Sequence, residues 1–125
     1  MIIAIGTDIA SSERISSVYQ RRGNAFARRI LTVNEYVEFE ARNHSMGFLT
    51  RRFSAKEAVA KALGTGIGRG LSFHHIEVLN NELGAPILTL SGFALQRSQR
   101  MGVKYQHISI SDERNYAVSF VVLSA

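Results

Sequence analysis

At 125 residues and 46% hydrophobic content, the chain has the size of one domain with one core, and its composition is that of a globular and not a disordered protein. No apolar run reaches the ~18 residues of a membrane span, and without cysteine there are neither disulfides nor thiolate metal sites. Fifteen Lys and Arg against ten Asp and Glu leave a net charge of +5, which calls for an anionic partner: nucleic acid, phosphates or an acidic protein.

The N-terminal M-I-I-A-I-G-T-D lacks the positive region and cleavage site of a signal peptide, so Met1 is expected to start the mature protein, in the cytoplasm. Residues Ile2–Ile9 alternate, with Ile3, Ile5, Thr7 and Ile9 on one face and Ala4, Gly6 and Asp8 on the other. This predicts a half-buried strand whose second face is kept small, ending at Asp8 over a shallow floor. Ser11 or Ser12 caps the next helix, which turns Ile15, Val18 and Tyr19 inward and its arginines outward. Gly23 and Asn24 break it, and Phe26–Leu31 form a short helical piece. Thr32 and Glu35 have the spacing of a capping box, opening a helix to about Arg42.

After the polar loop N-H-S-M-G, a helix is predicted from about Leu49 to Leu63, followed by a loop with glycines at 64, 66, 68 and 70. Ile76–Leu79 and Ile87–Leu90 read as strands around N-N-E-L-G-A-P, and Ser91 caps a helix to about Met101. The remainder is a hairpin: Lys104–Ser111, a D-E-R-N turn, and Tyr116–Leu123 as a strand apolar on both faces. Such a strand belongs inside a sheet or in a subunit interface. Helices interrupting mostly antiparallel strands give an α+β class.

The segment F-S-A-K-E-A-V-A-K-A-L-G-T-G supports two readings. Phe53, Glu57 and Lys61 share one helical stripe, with Ala55, Ala58, Val59, Ala62 and Leu63 as the packing face. The plain reading is an exposed Glu57–Lys61 pair contributing ~0.2–0.5 kcal/mol, with Gly64 as a helix stop. The chemical reading is a magnesium site. That ion needs one or two carboxylates plus substrate phosphate oxygens, and Asp8 with Glu57 offers two. The glycines follow the helix, where its dipole repels anions, so any phosphate there depends on loop N–H groups and Lys61.

G-T-D-I together with the later R-R-F-S-A-K-E-A-V-A-K-A-L-G-T-G-I, the F-A-R-R-I-L-T segment, the L-G-x-P turn and the terminal hairpin resemble the holo-acyl-carrier-protein synthases, the short bacterial 4′-phosphopantetheinyl transferases. The resemblance covers essentially the whole chain and implies one such domain over residues 1–125. It implies Mg²⁺-dependent transfer of phosphopantetheine from coenzyme A to a serine of apo-acyl carrier protein, in support of fatty acid biosynthesis. It also implies a homotrimer with active sites between subunits. The metal ligands fall on Asp8 and Glu57. Lys61 falls beside the coenzyme A phosphates, with Arg52, Gly64, Thr65, Gly66 and His107 as further coenzyme A contacts. Given an acidic carrier protein, Arg14, Arg21, Arg22 and Arg28 become its docking face. The family's usual D-I-V-E run is here D-I-A-S, so Ser11 stands where the acid is expected.

Other residues read more plainly. His74–His75 is a structural or surface pair without a third ligand, His44 is solvated, Ser109 and Ser111 are strand serines, and Asp112 and Glu113 belong to the turn. Phe26, Phe39, Phe73, Phe93 and Phe120 are core candidates by periodicity. The rival readings are a basic nucleic-acid-binding module, which lacks any recognised binding signature, and a nucleotide-binding scaffold without catalysis. No nucleic acid and no membrane are expected as partners.

Overall fold

The computed structural model describes all residues, Met1–Ala125. In chain order the elements are β1 (Ile2–Ser11), α1 (Ser12–Arg22), α2 (Asn24–Ile30), α3 (Val33–Ala41) and α4 (Met46–Leu63). A single 3₁₀ turn (Phe73–His75) leads into β2 (Ile76–Asn80), β3 (Pro86–Leu90), α5 (Gly92–Arg100), β4 (Tyr105–Glu113) and β5 (Tyr116–Ser124). β1, β5 and β4 form an antiparallel sheet in that order, while β2 and β3 pair as a separate hairpin. The class is α+β, as expected.

The small face of β1 is the one that packs. Gly6 and Ala10 are buried, and Ala4 packs against the core. A Cβ on Gly6 would collide with the Ala58 carbonyl oxygen and lie 2.7 Å from the Ala62 backbone nitrogen. Strand and helix backbones therefore touch, which the alanines of α4 permit and any side chain at position 6 would prevent. On the other face Ile5 and Ile9 point away from the helix, 58% and 65% exposed, while Ile3, beside a register shift between Ile2 and Ala4, is partly buried against the core. β5 behaves likewise. Ala117, Ser119, Val121 and Leu123 are buried against α4, whereas Val118 and Phe120 are exposed. Phe120 is thus not core as periodicity suggested, and the strand apolar on both faces is covered on only one of them within a chain. Phe26 and Phe93 are only partly buried; Phe39 and Phe73 are core.

The hairpin turn is also tighter than expected. β4 runs through Glu113, which pairs with Tyr116, so Arg114 and Asn115 alone make the turn while Asp112 and Glu113 are strand residues. His44 is not solvated. It adopts a φ of 56°, lies 4.5 Å from the Phe39 ring, and its Nδ1 is 2.8 Å from the Tyr19 hydroxyl. His74 and His75 are structural as read. His74 Nε2 lies 2.6 Å from the Arg28 carbonyl oxygen, and His75 Nδ1 accepts from the Ser72 amide.

A second core of Ile15, Ala27, Ile30, Leu31, Phe39, Phe48 and Leu49 joins α1–α3 to the first half of α4. At its centre is a pair that the sequence reading missed. Lys56 and Glu35 are fully buried with Nζ 2.5 Å from Oε1. The ammonium also donates to the carbonyls of Ile30 and Phe73, so its three hydrogens all have acceptors. Glu35 in turn accepts from the amides of Thr32, completing the capping box, and of Val78. Burial lowers the Lys56 pKa and Glu35 works against that shift. Replacing one partner strands the other charge, so Lys56→Met is expected to lose about 3–5 kcal/mol in urea unfolding, with Glu35→Gln added recovering part of it. Full additivity of the two losses would show that the residues act independently.

Candidate functional site

The Gly6 contact sets the site. Side chains of β1 alternate, so Asp8 follows Gly6 on the face toward α4, and Ser54 Oγ donates to the Asp8 carbonyl at 3.2 Å, tying the strand to the helix one turn before Glu57. Asp8 and Glu57 then wall a groove of about 360 Å³ with Phe53, Phe26, Ser11 and Arg14. The predicted Phe53–Glu57 edge of the helix is therefore what lines the cavity.

Lys61 does not pair with Glu57 as the plain i,i+4 reading had it. Its Nζ lies 3.2 Å from Asp8 Oδ1, with the Lys61 side chain 55% exposed and that of Asp8 13%. Asp8 Oδ2 is buried and has no hydrogen-bond partner. Burial pushes the Glu57 carboxyl above its usual range, the Asp8 charge pushes in the same direction, and Lys61 opposes both. Two carboxylates close enough to repel suit a divalent cation that they can share. No third His, Cys, Asp or Glu joins them. The donor set is all oxygen and incomplete, which fits Mg²⁺ completing its shell from water and phosphate, and not a closed structural zinc site.

Beyond Lys61, the helix closes on Gly64 in the left-handed region at φ 81°. The amides of Gly64 and Gly66 fold back onto the carbonyls of Lys61 and Ala60, and Thr65 Oγ1 donates to the Gly66 carbonyl. Arg97 of α5, which no sequence signal pointed to, donates from Nε to the Leu63 carbonyl at 3.0 Å. The two glycine amides and Arg97 thus satisfy carbonyls at the negative end of the helix and reduce its repulsion of an anion.

The remaining predicted residues divide into two groups. Arg14 lies on the groove itself, Arg21 and Arg22 continue along the exposed last turn of α1, and Arg28 is exposed on α2 with its guanidinium 4.0 Å from the Tyr36 ring centre. Arg28 lines a separate groove with Thr32, Tyr36 and His74. Arg52 and His107 stand apart from the carboxylates. Arg52 is buried, 4.6 Å from the Phe48 ring centre, with one Nη 3.4 Å from Asn80 Oδ1 and Nε without a partner; burial lowers its pKa to about 10. His107 lies on the exposed outer face of β4, its Nε2 3.1 Å from Ser124 Oγ. Ser11, at the position of the family's usual acid, accepts from the Arg14 amide as the cap of α1.

The 4′-phosphopantetheinyl transferase superfamily model matches residues 4–121. Over 124 residues the chain is 50% identical to a holo-[acyl-carrier-protein] synthase of Vibrio parahaemolyticus, covering 99% of this chain and 98% of that protein. A crystal structure of the synthase from Neisseria meningitidis superposes with a TM-score of 0.91 at 41% identity, over the whole of both chains. The Helicobacter pylori synthase in complex with coenzyme A superposes with a TM-score of 0.84 at 32% identity, covering 96% of this chain and 99% of that one. The chain belongs to the 4′-phosphopantetheinyl transferase superfamily, among its holo-[acyl-carrier-protein] synthases.

Proposed function

We propose that this chain transfers the 4′-phosphopantetheine arm of coenzyme A to a serine hydroxyl of apo-acyl carrier protein, releasing adenosine 3′,5′-bisphosphate and supporting fatty acid biosynthesis. The observation that carries the reading is the meeting of the Asp8 and Glu57 carboxylates beside Lys61 in a groove flanked by Arg14. The serine oxygen forms a bond to the phosphorus that bears the pantetheine arm, and the bond from that phosphorus to the adenosine-side phosphate breaks. Asp8 and Glu57 would hold Mg²⁺, which supplies neutralisation of the pyrophosphate oxygens. Lys61 offsets the charge left on the departing bisphosphate. Glu57, whose raised pKa brings it nearer neutrality, accepts the serine proton. Gly64, Thr65 and Gly66 leave backbone room for coenzyme A where a larger turn would intrude.

Arg14, Arg21, Arg22 and Arg28 dock the acidic carrier protein along the flank of α1 and α2, delivering its serine to the groove. Arg52 and His107 reach coenzyme A only if a second chain brings them there. The exposed Ile5, Ile9, Val118 and Phe120 on the outer sheet face supply an apolar surface for that contact. We take the assembly to be a homotrimer with shared active sites, each chain one transferase domain over residues 1–125. No helix is long and apolar enough to cross a membrane, and the cytoplasm is the compartment we propose.

Mixing the protein with coenzyme A, Mg²⁺ and apo-carrier protein should raise the carrier's intact mass by one phosphopantetheine arm. Asp8→Ala and Glu57→Ala should each slow the transfer roughly a hundredfold or more at low Mg²⁺ with the fold retained. Coenzyme A binding without a mass change would favour a scaffold. A salt-sensitive RNA or DNA complex in place of transfer would favour the nucleic-acid reading.

Charge reversal at Arg14 or Arg21 should raise the KM for carrier protein more than that for coenzyme A, with the effect shrinking as salt is added. Equal changes in both KM values would argue against a docking flank.

The Glu57 shift has a stability consequence. Between the ordinary Glu value of 4.5 and its raised value, the native protein holds this proton more tightly than the unfolded chain, so stability falls as pH rises through that window. In metal-free buffer Glu57→Gln should therefore have a higher Tm than the parent at neutral pH, and the gain should vanish as pH drops below the ordinary value. A Tm difference independent of pH would contradict the assigned cause.

A further inference from the structure

Asp8 Oδ2 is not the only unpartnered buried oxygen at this place. Ser119 Oγ is the other, and Ser119 is wholly buried. The two residues are directly opposite one another in the ladder between β1 and β5. Opposed residues of an antiparallel pair share a face, with Cβ atoms about 4.5–5.5 Å apart. Here that face is the one packed on α4, where Ala117 and Val121, the neighbours of Ser119 on its side of β5, are also buried. One orphan is a hydroxyl able to donate, and the other is a carboxylate oxygen able only to accept. Both would be satisfied by a bond between them or by one water trapped between them.

The surroundings concentrate that role on Ser119. Ser54 Oγ reaches the Asp8 carbonyl at 3.2 Å and the Ala117 carbonyl at 3.4 Å, so it anchors the main chains of both strands and not the carboxylate. Ser11 is engaged at the start of α1. The partner that Asp8 does have, Lys61, is a long and largely exposed side chain, which holds charge nearby without fixing the plane of the carboxylate.

We propose that Ser119 is a positioning residue for Asp8. Its hydroxyl donates to Oδ2, directly after a rotation about χ1 or through one enclosed water. The bond keeps Oδ1, the oxygen on the Lys61 side, turned to the groove. The inference rests on the reading of Asp8 as a metal ligand. Ligating carboxylates held by such an outer hydrogen bond typically lose 10–100-fold in metal affinity when it is removed.

The test uses Mn²⁺ as the probe, with free Mn²⁺ followed by electron paramagnetic resonance in the presence of coenzyme A. Ser119→Ala keeps the small volume that α4 requires and removes only the hydroxyl. It should weaken Mn²⁺ binding by roughly tenfold. It should also raise the Mg²⁺ concentration for half-maximal transfer in parallel, leaving the KM for carrier protein unmoved. Ser119→Cys, of similar size but a weaker donor, should fall between, and it carries the comparison if the alanine variant does not fold. Parent-like Mn²⁺ affinity in the folded variants overturns the proposal while leaving the metal site intact. A parent that binds no Mn²⁺ with coenzyme A present overturns the metal reading and this inference together.

Discussion

The contact between the β1 backbone at Gly6 and α4 at Ala58 and Ala62 is the constraint from which the site follows. Van der Waals exclusion leaves no space for a side chain there, so the strand lies against the helix only because three small residues coincide. Two residues further along β1, at about 3.4 Å per residue, Asp8 comes level with the turn of α4 that carries Ser54 and Glu57. A thicker contact would open the groove and separate the carboxylates, relieving first the burial and then the Asp8 charge that together raise the Glu57 pKa. Helix packing and site electrostatics are here the same fact.

A second ion pair holds α4 from its other side. Lys56 and Glu57 are adjacent in sequence yet opposite in fate. Lys56 is enclosed with Glu35 and two carbonyls, and Glu57 sits on the edge of a groove. The buried ammonium ties the end of α2, the start of α3 and the 3₁₀ turn to one point on the helix. A buried pair is weak evidence of net stability, since desolvation offsets most of its attraction. Its geometric demand is strict, however: three acceptors must converge, which fixes the register of α2 and α3 beside the helix that carries Glu57 and Lys61.

The outer face of the three-stranded sheet completes the picture. Ile5, Ile9, Val118 and Phe120 lie across β1 and β5, and His107 is on the same face of the neighbouring β4. The face that carries the larger apolar side chains is thus the one that a single chain leaves open, while the small face is spent on α4. That division accounts for a strand apolar on both sides, and it puts His107 on the opposite face of the sheet from Asp8.

Local chemistry was legible in the residues. The Thr32–Glu35 capping box, the stop at Gly64, the cap at Ser11 and the pairing of the last two strands follow from rules that act over a few positions, whereas Ser91 begins α5 without a side-chain capping bond; the paired G-T-D-I and F-S-A-K-E-A motifs carried the family and hence the two carboxylates. What periodicity did not convey was which apolar face would be covered. Alternation in β1 is identical whether α4 packs on the isoleucines or on Gly6. Nor did it show that Lys61 would meet Asp8, that Lys56 would be enclosed, that His44 would enter an aromatic cluster, or that Ser119 would face Asp8 across the sheet. The sequence by itself determined the elements, the family and the residue types available for chemistry, because those depend on near neighbours and on motif identity. Only the tertiary structure decided which charges meet and which surfaces stay open, because those depend on pairings between residues dozens of positions apart that no local period encodes.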